Sequence, residues 1–280
     1  MFGYETATNG KQPSNKGLFE PTVMFFGMCN SPATFQSMMD AIFADMIDDN
    51  IVIIYMDNIF IYAPDEETLA KNTRRVLERL RDNDLFLKPT KCEFNKSKVE
   101  YLGMVIEEGK FLIDSGKIKG IQDWPTPTTV KQVRAFLGFG NFYRWFIWHF
   151  SELAKPLNDL LKKDNKFEWT SDCQKAFDEL KKRFTEEPVL MMPDHTWPFQ
   201  IETDASKYAT GAVLTQLDSN GDRHPISFIS TTLSPTERNY EIYDWELLAI
   251  IQALEEWRHY IQGSVHATTI LSDHKNLTYY

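Results

Sequence analysis

The chain has 280 residues, of which 42% are hydrophobic, so it is long enough for about two domains with packed apolar cores. Its 3 cysteines, Cys29, Cys92 and Cys173, are far apart in sequence and form no Cys-x-x-Cys pattern, which argues against a disulfide framework and against a zinc cluster. The net charge is −10, yet residues 71–150 carry 15 basic and 9 acidic side chains, a net charge of +6. Such a basic segment can follow a phosphate backbone or can be an ordinary solvated helix surface.

Two predicted helices flank a predicted hairpin in the first part of the chain. The first helix begins after Asn30 with a proline in its first turn, and apolar residues recur at helical spacing from Phe35 to Met46. The second is capped by Asp65 and combines an apolar stripe with arginines at positions 74, 75, 79 and 81. This region therefore has a mixed α+β character.

The hairpin is predicted for residues 51–62, which are strand formers on both sides of the polar interruption Met56-Asp57-Asn58. A turn at this interruption holds the carboxylate of Asp57 on a rigid backbone. An Asp-Asn pair is also ordinary turn chemistry in a buried hairpin. The segment alone leaves both interpretations open.

The middle of the chain changes from strand to helix. Residues 99–106 and 110–113 predict a second hairpin, and two prolines in 124–128 favour an extended connector after it. Aromatic residues at helical spacing are more typical of a core than of base-stacking platforms. Beyond the connector, helices are predicted at 130–148, which is rich in aromatics, at 152–161 and at 171–184.

The last part has the predicted order β-β-β-α-β, with strands at 199–203, 211–216, 224–230 and 268–271 and a helix at 240–260. Asp204 ends the first strand, Glu246 lies in the first turns of the helix, and Asp273 follows the last strand. Any one of the 40 acidic residues is more often a surface residue than a ligand. Three carboxylates from three elements in this order, however, predict a site for a hard divalent cation such as Mg²⁺.

Taken together, these segments resemble the reverse transcriptase and ribonuclease H portion of a gypsy-type LTR retrotransposon pol polyprotein. The resemblance covers residues 16–280, and many stretches matching in order make it specific. The matching stretches are 16–27, 30–36, Tyr-Met-Asp-Asn at 55–58, Glu-Tyr-Leu-Gly at 100–103, Thr-Asp-Ala-Ser at 203–206, Glu-Arg-Asn-Tyr at 237–240, Asp-Trp-Glu-Leu-Leu-Ala-Ile at 244–250 and Asp-His-Lys-Asn-Leu at 273–277.

The resemblance implies an α+β polymerase palm, then a helical thumb, then a partial α/β ribonuclease H-like domain with a mixed sheet. The implied boundaries are a non-matching start at 1–15, a palm at 16–115 without fingers, a thumb at 116–190, and a ribonuclease H-like domain at 191–280 that is truncated at its C-terminal end. The family also has a further palm aspartate upstream of residue 16, which is absent from this sequence.

The resemblance implies roles for single residues as well. Asp57 would be a catalytic metal ligand of the polymerase, and Asp204, Glu246 and Asp273 would be the catalytic metal ligands of the nuclease, with Mg²⁺ or Mn²⁺ as the cofactor. The implied partners are RNA/DNA hybrid, template-primer nucleic acid and, for the ancestral polymerase, a dNTP. No membrane is expected as a partner, and the other polyprotein parts are expected to be absent. The residues expected to contact nucleotide, template or primer are Phe26, Gly27, Gln36, Tyr55, Lys88, Tyr101 and Gly103.

One departure bears on activity. Asn58 stands where the family motif has a second aspartate, and an amide cannot neutralise a divalent ion as a carboxylate does. Trp145 and Trp148 stand where a polar or charged residue is expected, which fits a degenerating transposon copy.

We therefore expect this copy to have lost polymerase activity. The alternative is a non-catalytic nucleic-acid binder or an inert transposon remnant. A nuclease whose palm serves only as a scaffold is a third possibility.

The sequence also bears on location. Its longest apolar run is far short of the roughly 20 residues that span a bilayer, and the N-terminus lacks a basic start followed by an apolar core. We therefore expect a soluble chain without a secretory signal, in the cytoplasm or the nucleus, and in a virus-like particle for an intact element.

Overall fold

The computed structural model describes residues 27–107, 109–163, 165–186 and 189–272, together with two short antiparallel strands, β1 (Gln12–Ser14) and β2 (Gly17–Phe19). The chain forms two compact units, which divide between Lys96 and Ser97. Each unit is described by itself.

The first unit packs a two-stranded antiparallel hairpin against helices. The described elements after β2 are α1 (Ser31–Ile42), α2 (Ala44–Asp48), β3 (Val52–Tyr55), β4 (Asn58–Ile61) and α3 (Glu66–Asp82). The helix predicted to run to Met46 is interrupted at Phe43, which caps both α1 and α2. The core of this unit is formed by Met39, Phe43, Met46, Ile51, Val52, Val76 and Leu80.

Helix α3 begins as the sequence predicts and is tied to α2. The Asp65 carboxylate accepts a hydrogen bond from the backbone N–H of Thr68 at 2.8 Å, so it satisfies one of the free N–H groups at the helix start. The Arg79 guanidinium donates to both carboxylate oxygens of Asp45, at 2.7 and 2.9 Å. This hydrogen-bonded arginine lowers the pKa of Asp45.

The second unit contains a small antiparallel sheet and a helical region. The sheet has the order β5 (Lys98–Tyr101), β6 (Met104–Glu107), β7 (Lys110–Ile113) and β8 (Leu190–Met191), so its last strand arrives from far along the chain. The predicted single strand at 99–106 is wrong, because Leu102 and Gly103 adopt positive φ angles of 51° and 78° and turn the chain back. The helices are α4 (Ser115–Gln122), α5 (Val130–Phe142), α6 (Phe150–Leu153), α7 (Lys155–Asp159) and α8 (Ser171–Thr185).

The helical region is shorter and more broken than its sequence pattern predicts. Helix α5 ends at Phe142, a 3-10 turn follows at Arg144–Phe146, and His149 has φ 56°, so residues 143–149 are not α-helical. Proline at 156 accompanies the break between α6 and α7 inside the predicted helix at 152–161. The aromatics that the sequence assigns to a core are in part confirmed there, since Phe136 and Phe146 are buried while Phe142 is 53% exposed.

The last part of the second unit is a four-stranded mixed sheet covered by a helix. Strands β9 (Phe199–Ala205), β10 (Ala209–Leu217) and β11 (Arg223–Thr232) are antiparallel neighbours, and β12 (Thr269–Ser272) pairs parallel with β9. Helix α9 (Ile242–Glu256), continued by α10 (Arg258–Ile261), connects β11 to β12 and packs on β9 and β10. The predicted β-β-β-α-β order is therefore confirmed. The core here comprises Phe199, Ile201, Ala212, Leu214, Ile226, Ala253 and Trp257.

The sheet order β11-β10-β9-β12 places β9 between an antiparallel and a parallel neighbour. Since β9 and β12 are neighbours that run in the same direction, their C-terminal ends lie at the same end of the sheet, which is called its carboxyl edge. Among the helices of the described ranges, none is long and apolar enough to cross a membrane.

Candidate functional site

The Asp57 carboxylate lies at the tip of the β3–β4 hairpin, as the sequence predicts. Tyr55 pairs with Asn58 in the ladder, so Met56 and Asp57 are the two central turn residues. Met56, the first central residue of the turn, has a positive φ of 56°. A two-residue hairpin turn of type II′ requires a positive φ at this position. Asp57 and Asn58 are both exposed at the surface of this unit.

Helix α1 fixes this hairpin tip through the side chain of Gln36. Its Oε1 accepts a hydrogen bond from the backbone N–H of Met56 at 2.6 Å, and its Nε2 donates to the carbonyl of Ile54 at 3.1 Å. The same Nε2 donates to Asp40 at 2.7 Å. The structure thus places Gln36 as a support of the turn that carries Asp57, while its predicted contact with substrate stays a prediction.

The other residues predicted for this site are placed as follows. Gly27 is exposed just before α1, with φ 102°, and the Tyr55 side chain is 54% exposed beside the turn. Lys88 is exposed in the extended stretch that leads into a 3-10 turn at Pro89–Lys91. Phe26 lies outside the described residues.

Tyr101 and Gly103 belong to the second unit, at the turn between β5 and β6. The Tyr143 hydroxyl donates a hydrogen bond to the carbonyl of Gly103 at 2.8 Å, so the end of α5 holds this turn. Burial raises the pKa of Tyr143, which keeps the hydroxyl protonated and able to donate. The sequence motif singled out Tyr101 and Gly103 as site residues, but it predicted neither the turn nor the tyrosine that supports it.

The carboxylates predicted for the second site come from the edge where β9 and β12 end. Asp204 is 45% exposed near the end of β9, and Glu246 of α9 is 3% exposed. Ser272, the last described residue of β12, pairs with Thr203 and has its hydroxyl 3.4 Å from Glu246 Oε2. Asp273 lies outside the described residues, so two of the three predicted carboxylates are placed.

The chemistry of these two carboxylates fits a divalent cation. Hard cations such as Mg²⁺ prefer carboxylate oxygens, which the side chains of Asp204 and Glu246 both carry. Within the described ranges, no three His, Cys, Asp or Glu side chains form a group that could hold a metal ion. The described part of the site therefore offers ligands compatible with the ion but not the whole predicted set.

A cleft of about 420 Å³ opens beside Asp204, which is the one described lining residue that the sequence predicted as a site residue. Two of the lining residues come from outside the nuclease-like sheet. They are Trp148 and His149, from the segment between α5 and α6. His149 Nε2 lies 3.5 Å from Asp204 Oδ2. A lone histidine after an aromatic-rich helix carries no signal of such a position. The lining residues are Trp148, His149, Glu202, Thr203, Asp204, Leu271 and Ser272.

Two protein families match the chain in the same order as these two sites. Residues 3–106 match the family described as reverse transcriptase (RNA-dependent DNA polymerase). Residues 169–270 match the RNase H-like domain found in reverse transcriptase. The first match begins at residue 3, so it extends further towards the N-terminus than the motifs indicate.

Several curated transposon polyproteins are similar to this chain. The chain is 37% identical over 262 residues to the Tf2-7, Tf2-8 and Tf2-11 transposon polyproteins of Schizosaccharomyces pombe (strain 972 / ATCC 24843). The alignments cover 94% of this chain but 20% of each polyprotein, so the chain spans about one fifth of the length of these relatives.

Solved structures share the fold. The foamy viral protease-reverse transcriptase in complex with RNA/DNA hybrid has a TM-score of 0.74 at 23% identity, covering 90% of this chain and 33% of the viral one. The dRH form of that protein in complex with dsDNA has a TM-score of 0.75 at 22% identity, covering 94% of this chain and 46% of the viral one. At this level of identity the likeness supports the fold, a palm-type region followed by a ribonuclease H-like sheet.

Proposed function

The chain belongs to the reverse transcriptases of gypsy-type LTR retrotransposons, and on this premise we propose that it is a pol fragment whose hybrid-cleaving nuclease site is closer to complete than its polymerase site. The ancestral reactions are RNA-directed DNA synthesis and endonucleolytic cleavage of the RNA in an RNA/DNA hybrid. The proposed substrates are accordingly RNA/DNA hybrid and template-primer nucleic acid, with a dNTP for the polymerase.

The single observation that carries the nuclease assignment is the shared edge of β9 and β12. Asp204 is solvent-accessible there, and the Ser272 hydroxyl beside Glu246 connects the end of β12 to α9. Asp273 follows Ser272 in the sequence and lies outside the described residues. We propose that Asp204, Glu246 and Asp273 hold the catalytic ions, because only carboxylates at one edge can share them.

Proteins of these families generally use divalent metals, and we propose Mg²⁺ here, with Mn²⁺ as a substitute. Bound ions supply an activated water and charge stabilisation for the leaving oxygen of the phosphodiester. The chain's own contribution is to hold one exposed and one buried carboxylate on rigid elements, a strand end and the first turns of a helix. This rigidity fixes the oxygen positions before substrate arrives.

For the polymerase, the hairpin is preserved but its charge is reduced. Asp57 is held by the turn and by Gln36, whereas Asn58 presents a neutral amide next to it. An amide oxygen can accept a hydrogen bond but does not neutralise a cation. We propose that this chain has lost polymerase activity for that reason.

Cleavage of a labelled RNA/DNA hybrid tests the nuclease. The full chain should cut the RNA strand in Mg²⁺ and not in EDTA, and Asp204→Asn should abolish cutting. Asp222→Asn, which changes an exposed carboxylate in the β10–β11 turn, is the matched control and should cut like the unmodified chain. Cleavage that persists in Asp204→Asn would refute the assignment.

Primer extension on a poly-rA template tests the loss of polymerase activity. The unmodified chain should extend no more than an Asp57→Ala variant does. Extension clearly above that variant would show that Asn58 is tolerated.

The exposed Asn58 amide also favours a second candidate, a nucleic-acid binder without catalysis. Salt-sensitive binding of the hybrid without cleavage in Mg²⁺ would support it, and neither binding nor cleavage would indicate an inert remnant. Cleavage without extension is the result expected of a nuclease with a scaffold palm. We further propose an intracellular location, and domain boundaries near residues 115 and 190.

A further inference from the structure

The segment between α5 and α6 is fixed across the nuclease-like sheet at a particular line of residues. Ser230 of β11 pairs with Gly211 of β10, and Gly211 pairs with Asp204 of β9, so the three residues form a row across the strands. The Ser151 backbone N–H donates to Ser230 Oγ at 3.0 Å, and its hydroxyl donates to the Ser230 carbonyl at 2.8 Å. The Arg144 guanidinium donates to the same carbonyl. The segment, through Arg144, and the first turn of α6, through Ser151, are therefore both attached to edge strand β11.

Between these two attachments, the His149 ring lies along the row and ends at Asp204. A Cβ atom built on Gly211 would be 3.5 Å from His149 Nδ1, so the ring packs on the backbone of β10. Nε2 then lies 3.5 Å from Asp204 Oδ2. His149 takes the left-handed conformation with φ 56° and ψ 28°, which is uncommon outside glycine and gives the ring this direction.

Trp148 packs against the same ring. Its indole contacts the His149 ring at 4.4 Å between centroids, in an edge-to-face arrangement, and contacts Phe228 of β11 at 5.9 Å. Such aromatic contacts restrict the ring beyond simple burial. The His149 side chain nevertheless remains 29% exposed at the cleft.

A nucleic-acid strand is anionic, so its binding in the cleft requires hydrogen-bond donors from the protein. The hydroxyl groups that line the cleft already have partners within the protein. Thr203 Oγ1 donates to the carbonyl of Leu271 at 3.3 Å, and Ser272 Oγ lies 3.4 Å from Glu246. Within the described ranges, neither ring nitrogen of His149 makes a hydrogen bond, since its nearest carboxylate oxygens are 3.5 and 3.8 Å away. An imidazole N–H at the mouth of this cleft is thus available to a ligand.

We propose that His149 is a substrate-binding residue of the nuclease cleft, whose imidazole donates a hydrogen bond to a backbone phosphate of the hybrid at Asp204, and that Trp148 is its positioning residue. Phosphate oxygens receive most of the hydrogen bonds that proteins make to nucleic acids, and these contacts set the register of the strand. The inference rests on the proposed nuclease function and extends it, because the contact comes from the segment that precedes the ribonuclease H-like sheet.

Binding of a fluorescent 18-base-pair RNA/DNA hybrid, measured by anisotropy in Ca²⁺ with the full chain, tests the proposal. His149→Gly removes the ring while keeping the left-handed backbone unstrained, and it should weaken binding about tenfold, as expected for one charge-assisted hydrogen bond. His149→Asn keeps a donor and tolerates the same backbone, so it should bind within about threefold of the unmodified chain. His259→Ala, which removes an exposed imidazole from α10, is the matched control and should bind unchanged.

A single methylphosphonate in the hybrid identifies the contact. When the methylphosphonate is moved along the RNA strand, the unmodified chain should bind more weakly at one particular phosphate position. The affinity of the His149→Gly variant should not change when that same position carries the methylphosphonate. Circular dichroism should show all variants folded, and Trp148→Phe, which keeps an aromatic ring, should lose less affinity than His149→Gly.

The outcomes separate this proposal from the proposed function. Equal affinity of His149→Gly and the unmodified chain would overturn the phosphate contact even if the chain cleaves hybrid in Mg²⁺. The tenfold loss without any Mg²⁺-dependent cleavage would support the contact and refute the nuclease. No binding by the unmodified chain would overturn both.

Discussion

Removal of the Gln36 side chain should loosen the hairpin tip that carries Asp57. Gln36→Ala deletes two hydrogen bonds to hairpin backbone, one from the N–H of Met56 at 2.6 Å and one to the carbonyl of Ile54 at 3.1 Å. A typical intramolecular hydrogen bond contributes about 0.5–1.5 kcal/mol net, so the local opening free energy of the tip should fall by about 1–3 kcal/mol. The Met56 N–H is then left to water, which the exposed turn allows.

Hydrogen exchange followed by mass spectrometry measures this effect where it occurs. A loss of about 1–3 kcal/mol corresponds to exchange roughly 5- to 150-fold faster in a peptide that spans the turn, because each 1.4 kcal/mol is a factor of ten. Ser37→Ala, an exposed neighbour on the same helix, is the matched control and should leave exchange unchanged. If the turn peptide of Gln36→Ala exchanges as slowly as that of Ser37→Ala, the inference that α1 fixes the Asp57 turn is wrong.

Three further predictions concern stability. Tyr143→Phe removes the hydroxyl that donates to the Gly103 carbonyl at 2.8 Å, so it should lower the free energy of unfolding of the second unit by about 1–2 kcal/mol in urea. The control Tyr208→Phe changes a ring that is 40% exposed and should alter this free energy little. Gly103→Ala should lower the unfolding midpoint further, because Gly103 has φ 78° and the new Cβ would lie 3.0 Å from the Tyr143 hydroxyl oxygen; an unchanged midpoint would contradict the turn geometry. Hydrogen bonding from Arg79 lowers the pKa of Asp45 below its ordinary value of 3.8, so the charged carboxylate stabilises the fold above that value and this contribution is lost as the pH falls through the lowered pKa. The advantage of the unmodified chain over Asp45→Asn in unfolding midpoint should therefore be present at neutral pH and shrink as the pH falls below 3.8. A difference in midpoint that does not depend on pH would argue against the ion pair.

Much of the fold follows from local sequence. The hairpin around Asp57, the cap at Asp65 and the β-β-β-α-β order are confirmed because periodicity, capping and turn residues act within a few positions of one another. The long helix predicted at 130–148 ends at Phe142, and apolar periodicity could not show this because the aromatic residues beyond it pack in a non-helical segment. Strand β8 was missed since two residues, Leu190 and Met191, carry no strand pattern of their own.

The candidate sites divide in the same way. Asp57, Asp204 and Glu246 are recognisable from their motifs, and the structure places the last two on elements that meet at the ends of β9 and β12. Gln36 was predicted at the substrate pocket, whereas its hydrogen bonds show that it also holds the turn. Tyr143 and His149 could not be assigned from sequence, because their partners, Gly103 and Asp204, lie 40 and 55 positions away.

The sequence by itself determined the family, the order of the elements and the carboxylates at their ends, because these are carried by motifs and short-range patterns. Only the tertiary structure decided which side chains support those carboxylates. Contacts such as Gln36 with the Asp57 turn and His149 with Asp204 depend on how distant segments pack and on backbone conformations such as the left-handed His149. No local pattern encodes them, since packing brings together residues that have no fixed spacing in the chain.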